Sequence, residues 1–210
     1  STLSSSSAAS DVYKRQLQER LGLAVDPDVP LIGMVTRLVS HKGLDLVKGG
    51  VDNIMTYSNA QFVVLGSGDW EYEQFFKEMQ AKYPGRFVLC QGFVPELARK
   101  IYGGSDIFLM PSKSEPCGLS QMVALRYGSI PVVRETGGLK DSITDSGDGK
   151  GNGFTFQTYD TQDMLNSVHR AIYAYNESKD GWKVLVERAM ACDNSWGRSA
   201  NCLLYTSPSP

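Results

Sequence analysis

Glu115 stands in the segment SEPCGLSQMVALRYG, residues 114–128, with Pro116, Cys117 and Gly118 between it and a run that reads as a helix. In that run Leu119, Met122, Val123 and Tyr127 recur at helical spacing as an apolar stripe. A helix start offers unpaired N–H groups to an anion. A carboxylate just ahead of it either answers the helix dipole or faces a positive centre while the amides hold a negative one. Arg37 and Lys42, five apart in TRLVSHKGLD, flank a short loop with Gly43 in a turn. Two cations so placed hold a phosphate or remain solvated charges. Thr136-Gly137-Gly138 is either a second anion loop or a turn into a short helix.

Other motifs carry less. Gly66-Ser67-Gly68 opens a GxGxxG pattern that fails at Glu71, so it reads as a turn. Lys150 in GDGKGN lacks the spacing of a phosphate loop, and Asp26-Pro27-Asp28 reads as a proline turn despite its metal-like spacing. Cys117 has no partner base, which favours packing or backbone donation. His41 reads as a surface side chain and His169 as a structural one.

The elements that position these residues alternate. LIGMVTR (31–37), QFVVLG (61–66), RFVLCQG (86–92), DIFLMPS (106–112) and IPVVRE (130–135) are short, nearly continuous apolar runs. Helical stretches separate them: Lys42 to about Tyr57, a face of Phe75, Phe76, Met79 and Tyr83, then ELARKIYG, and residues 118–127. Two more follow, marked by Met164, Val168, Ala171, Ile172 and Tyr175, and by Trp182, Leu185, Val186 and Ala189. Such strands and helices predict a doubly wound α/β domain, a parallel sheet covered on both faces. Ligands bind such sheets where strands end and loops lead into helices. The Gly, hydroxyl and charged residues singled out above fall in four of those loops.

Composition bounds the rest. The chain has 210 residues and 41% hydrophobic content, enough for one domain. Lys plus Arg number 21 against 23 Asp plus Glu, a net charge of −2, so any anion site is local and no nucleic-acid surface is advertised. The four cysteines form no CxxC and accompany only two histidines, which disfavours structural zinc and suits a reduced compartment. No run of about 18 apolar residues offers a membrane span. The Ser-rich start and the Ser-Pro end read as non-native or disordered tails, residues 1–15 and 201–210, around a domain at 16–200.

TRLVSHKGLDL (36–46), QGFVPELARKIYGGSDIFLMPSKSEPCGLSQMVALRYGSIPVVRETGGLKDSI (91–143), GNGFTF (151–156) and DNSWGRSA (193–200) together resemble the C-terminal domain of the bacterial glycogen synthase and plant starch synthase family. The resemblance covers roughly residues 17–200. Related glucosyltransferases show a Glu-x7-Glu pattern here; Val123 stands where the second Glu would be, which suits the glycogen and starch synthase branch.

The resemblance implies a retaining transfer of glucose from ADP-glucose to the 4-hydroxyl of an α-1,4-glucan, in a cleft between two Rossmann-like domains (a GT-B fold). It implies a catalytic set of Glu115, Arg37 and Lys42, the two cations forming the phosphate pair. Cys117, Gly118, Leu119 and Ser120 would face sugar and phosphate, Thr136, Gly137 and Gly138 would form the second glycine loop, and Phe93 would lie against the base. No cofactor or metal is implied, because preorganised cations and amides, typically each worth roughly 3–4 kcal/mol of barrier, meet the charge on the leaving diphosphate. The family's N-terminal domain carries a Lys-x-Gly-Gly-Leu motif, whereas the only Gly-Gly-Leu here is Gly137-Gly138-Leu139. The expectation is a cytoplasmic donor-binding fragment that holds nucleotide weakly and transfers no glucose. A related transferase using a UDP-sugar and a stand-alone nucleotide-binding module are the alternatives.

Overall fold

The computed structural model describes residues 3–192, so the Ser-Trp segment 193–200 and the tail 201–210 lie outside the described residues. Six parallel strands form one sheet in the order β3-β2-β1-β4-β5-β6. They are β1 (Leu31–Val35), β2 (Gln61–Gly66), β3 (Phe87–Gln91), β4 (Ile107–Met110), β5 (Ile130–Arg134) and β6 (Phe154–Phe156). The helices are α1 (Leu3–Leu21), α2 (Leu44–Tyr57), α3 (Trp70–Lys82), α4 (Pro95–Gly104), α5 (Ser120–Tyr127), α6 (Gly137–Ser142), α7 (Thr161–Glu177) and α8 (Lys179–Met190).

Successive strand residues point to opposite faces, and both faces are dry. Ile32, Met34, Phe62, Val64, Ile107 and Leu109 meet α2, α3 and α7 on one side. Leu31, Val63, Leu65 and Phe108 meet α1 and α4 on the other. This is the doubly wound Rossmann-like sheet that the apolar runs predict. Sequence order runs outward from β1 to β3, then resumes beyond β1 at β4, so the direction of winding reverses between β1 and β4. That reversal opens the crevice where such sheets bind ligands.

Two expectations are corrected. The apolar stripe proposed for α5 is not its buried face: Leu119 is 70% and Tyr127 44% exposed, while Gln121, Ala124 and Leu125 are the buried residues. The boundary at residue 16 falls too late. α1 extends back to Leu3, and Lys14, 2% exposed, is part of the folded body. Over residues 11–21, where burial is described, the buried face of α1 is Lys14, Leu17 and Gln18, two of them polar, which leaves no apolar periodicity to read there. The strand β6 was not assigned as an element, and α6 is the short helix that the second reading of Thr136-Gly137-Gly138 offered.

Asp26-Pro27-Asp28 does form a turn, with the Asp26 carboxylate accepting from the Asp28 N–H at 2.8 Å. His169 joins two helices, its Nε2 lying 2.9 Å from Asn53 Oδ1. Burial holds its pKa below the ordinary 6.5. The unfolded chain therefore binds the proton first, and stability falls as pH drops beneath 6.5. A His169→Gln chain is expected to lose less of its urea midpoint between about pH 7 and about pH 5 than the parent. An equal loss in both chains would refute the assignment.

Candidate functional site

Three loops meet at the crevice, those leaving β1, β4 and β5. The first passes through a single 3₁₀ turn, Ser40–Lys42, and ends at Gly43. Gly43 has φ +77°, and a Cβ there would sit 2.1 Å from the Pro111 carbonyl oxygen. Only glycine permits both the left-handed turn and that approach. The β4 loop in turn donates the Lys113 N–H to His41 O at 2.9 Å. Main chain thus locks these two loops, and the side chains follow. Lys42 Nζ lies 2.6 Å from Glu115 Oε2, with both side chains under 20% exposed. Ser112 Oγ donates to the same oxygen at 3.2 Å.

The β5 loop presses on the other flank of Glu115. The Gly138 N–H donates to Glu115 O at 3.1 Å and to Pro116 O at 3.2 Å. A Cβ on Gly138 would fall 1.8 Å from Cys117 O, and one on Gly137 2.3 Å from Glu115 O. Beneath them Gln121, fully buried, donates to Gly118 O at 2.8 Å and to Ser142 Oγ at 3.0 Å, tying α5 to α6. Gly66 and Gly68 follow the same rule, for Cβ atoms there would meet the carbonyls of Thr36 and Leu38 within 2.4 Å. The GSG turn is a packing device rather than a phosphate loop.

Thr36, Lys42, Pro111, Ser112, Glu115, Leu119 and Ser120 line a small cavity in the crevice. Its walls supply a cation, a carboxylate, hydroxyls and the N-terminal end of α5, whose first N–H groups have no partner within the helix. Such a site can hold an anion at one end and a hydroxylated, electron-poor group at the other.

Of the residues singled out in the sequence, the fold brings together Lys42, Glu115, Cys117, Gly118, Leu119, Ser120, Gly137 and Gly138. Thr136 caps the start of α6 with its backbone. Arg37 stands exposed on the rim, with no side-chain hydrogen bond or ion pair among the described residues. Phe93, 71% exposed, follows β3. Strand spacing puts β3 roughly 12 Å from the crevice. Ser112, Gln121 and Arg134 were not identified from sequence. The signal for Arg134 was available: a charged residue closing an otherwise apolar strand. Among the described residues no helix is long and apolar enough to cross a membrane, and Cys90, Cys117 and Cys192 are free.

The family model for glycosyl transferases group 1 matches residues 16–180. The glycogen synthase of Pseudothermotoga lettingae is 52% identical over 189 residues, which are 89% of this chain and 39% of that protein. The glycogen synthase of Geobacillus stearothermophilus is 52% identical over 190 residues, 90% of this chain and 39% of its own length. The chain therefore spans 39% of the length of these relatives. The catalytic domain of starch synthase IV from Arabidopsis thaliana, solved bound to ADP and acarbose, superposes with a TM-score of 0.86 at 38% identity, over 93% of this chain and 41% of that one. Sucrose-phosphate synthase from Thermosynechococcus elongatus has the same fold at 19% identity, with a TM-score of 0.65 over 91% of this chain and 49% of its own.

Proposed function

Because the chain belongs to the group 1 glycosyl transferases, we propose that the crevice between β1 and β4 is the donor half-site of a retaining glucosyltransferase that uses ADP-glucose to extend an α-1,4-glucan. The observation that carries the reading is the close pair of Lys42 and Glu115 at the mouth of α5. One group favours a diphosphate, its neighbour a sugar.

In this reading the bond between the anomeric carbon and phosphate oxygen breaks, and a bond to the acceptor 4-oxygen forms. The acceptor proton is released with ADP. Negative charge grows on the leaving diphosphate, where Lys42, Arg37 and the first N–H groups of α5 stabilise it. Positive charge grows on the glucose ring, where Glu115 grips hydroxyls and favours an oxocarbenium-like centre. Ser112 keeps the carboxylate turned toward the ring. Phe93 receives the base, and its distance from the crevice suits the reach of a nucleoside diphosphate. These cations and amides take the part that a divalent metal plays elsewhere.

The acceptor glucan and a second domain that closes the cleft belong to the same reading, as does a cytoplasmic setting. One face of a cleft neither excludes water nor aligns two substrates. The chain alone is therefore expected to bind nucleotide without measurable transfer of glucose.

Calorimetric titration with ADP, with UDP as comparator, tests the donor site. ADP is expected to bind more tightly than UDP, and an Arg37→Ala, Lys42→Ala chain is expected to lose at least about tenfold in affinity. Tighter UDP binding would point to a UDP-sugar donor. Undiminished ADP affinity in the double variant would remove the phosphate pair from the site.

A further inference from the structure

Arg134 closes β5 at the edge of the crevice, and none of its nitrogens pairs with a carboxylate among the described residues. Instead they all address main-chain carbonyls. Nε donates to Ser112 O at 3.2 Å, Nη2 to Lys113 O at 2.8 Å and Nη1 to Gln157 O at 3.2 Å. The first two acceptors sit in the loop that carries Glu115. The third lies just past β6. A planar guanidinium suits this work, because its rigid fork fixes the angle between the groups it joins.

The guanidinium is itself backed. Its carbon lies 5.5 Å from the centre of the Tyr159 ring, and Lys113 Nζ lies 5.5 Å from the same centre. The Tyr159 hydroxyl donates to Asp45 Oδ1 at 2.5 Å, in the first turn of α2. The chain thus closes a circuit. From Asp45 it runs through Tyr159 and Arg134 to Lys113, whose N–H returns to His41, the neighbour of Lys42.

We propose that Arg134 is a positioning residue, a strap that holds the β4 loop at the height where Glu115 meets Lys42 and faces the donor sugar. The inference deepens the donor-site reading and rests on it for its functional consequence. Capping the end of the sheet would require only the bond to Gln157. The two bonds to consecutive carbonyls at Ser112 and Lys113 are what a loop anchor adds.

The test compares the parent chain with Arg134→Gln and Arg134→Lys by ADP titration and by amide hydrogen exchange. Arg134→Gln is expected to speed exchange of the 112–119 amides about tenfold and to weaken ADP by a similar factor, with β1 and β2 amides unchanged. Arg134→Lys keeps the charge but reaches fewer carbonyls, so it is expected to recover part of both. If the glutamine variant does not fold, the lysine variant against the parent gives the same comparison. Parent-like exchange across 112–119, or an equal rise throughout the chain, would overturn the strap. A parent chain that takes up no ADP would defeat the donor-site reading, while the exchange pattern would still decide the strap.

Discussion

A Gly138→Ala chain is expected to fold but to lose at least about tenfold in ADP affinity. The new Cβ would stand 1.8 Å from the Cys117 carbonyl oxygen, 2.5 Å from its carbon and 2.9 Å from its Cα. Comfortable contact needs about 3.5 Å, so one backbone must retreat by well over an ångström. Neither can do so freely. Gly138 is held by its N–H bonds to Glu115 and Pro116, and Cys117 precedes the Gly118 carbonyl that Gln121 grips from below. The displacement therefore reaches Glu115 and the start of α5 together. Overpacking of this kind costs about 1–3 kcal/mol, which lowers the melting temperature of a domain this size by several degrees. Gly103→Ala supplies the control, since its Cβ would meet only the edge of the Tyr127 ring at 3.4 Å. An alanine at 138 that leaves both melting and ADP affinity at parental values would show that the loops are not locked.

Lys14→Met is expected to lower the unfolding free energy by about 3–5 kcal/mol, a large share of the 5–15 kcal/mol of an ordinary domain. The Lys14 ammonium lies 2.7 Å from Asp106 Oδ2, 2.8 Å from the Tyr175 hydroxyl, 2.6 Å from Val29 O and 3.1 Å from Pro27 O. Its side chain is 3% exposed and that of Asp106 14%. Removing it strands a carboxylate whose one remaining donor among the described residues is the Leu31 N–H at 2.8 Å. Burial already holds the Asp106 carboxyl above the ordinary range, against the pull of Lys14. A carboxyl that binds its proton more readily folded than unfolded gains stability as pH falls. The Lys14→Met chain should therefore regain part of its loss on acidification, and an added Asp106→Asn should recover part at neutral pH. Urea titration of the three chains decides this. A loss below about 1 kcal/mol would reduce the pair to the worth of a surface ion pair.

The sheet was legible because its strands are buried on both faces, which leaves uninterrupted apolar runs such as QFVVLG, β2 from end to end. The helices were legible where apolar residues cover the core face, as in α7, whose Met164, Val168, Ala171, Ile172 and Tyr175 are all buried. They were not where a polar residue does the same work. Lys14 and Gln18 in α1, and Gln121 in α5, are buried because their ends bond to neighbouring elements. A periodicity of apolar residues is blind to that. In α5 the result was a stripe assigned to the wrong side. β6 has only three residues, too few to mark a run.

The same distinction divides the site. Lys42 and Glu115 were identifiable by charge and by their place at strand ends, although 73 residues separate them. Their direct bond was not, for it depends on the register of β1 against β4. Spacing revealed the glycines at 137 and 138 but not the carbonyls that forbid a side chain there. Ser112 escaped because its partner is a single carboxylate oxygen, and Arg134, although its charge at the end of an apolar strand was visible, because its partners are main-chain carbonyls that leave no motif.

The frame of the crevice is thus written in main-chain atoms, whereas Leu119 in its wall and Phe93 past the end of β3 are 70% and 71% exposed. In the donor-site reading, structural support and molecular choice fall to separable sets of positions. A library confined to those exposed positions would sample new donors on an unaltered chassis. The fold can change its customer without rebuilding its counter.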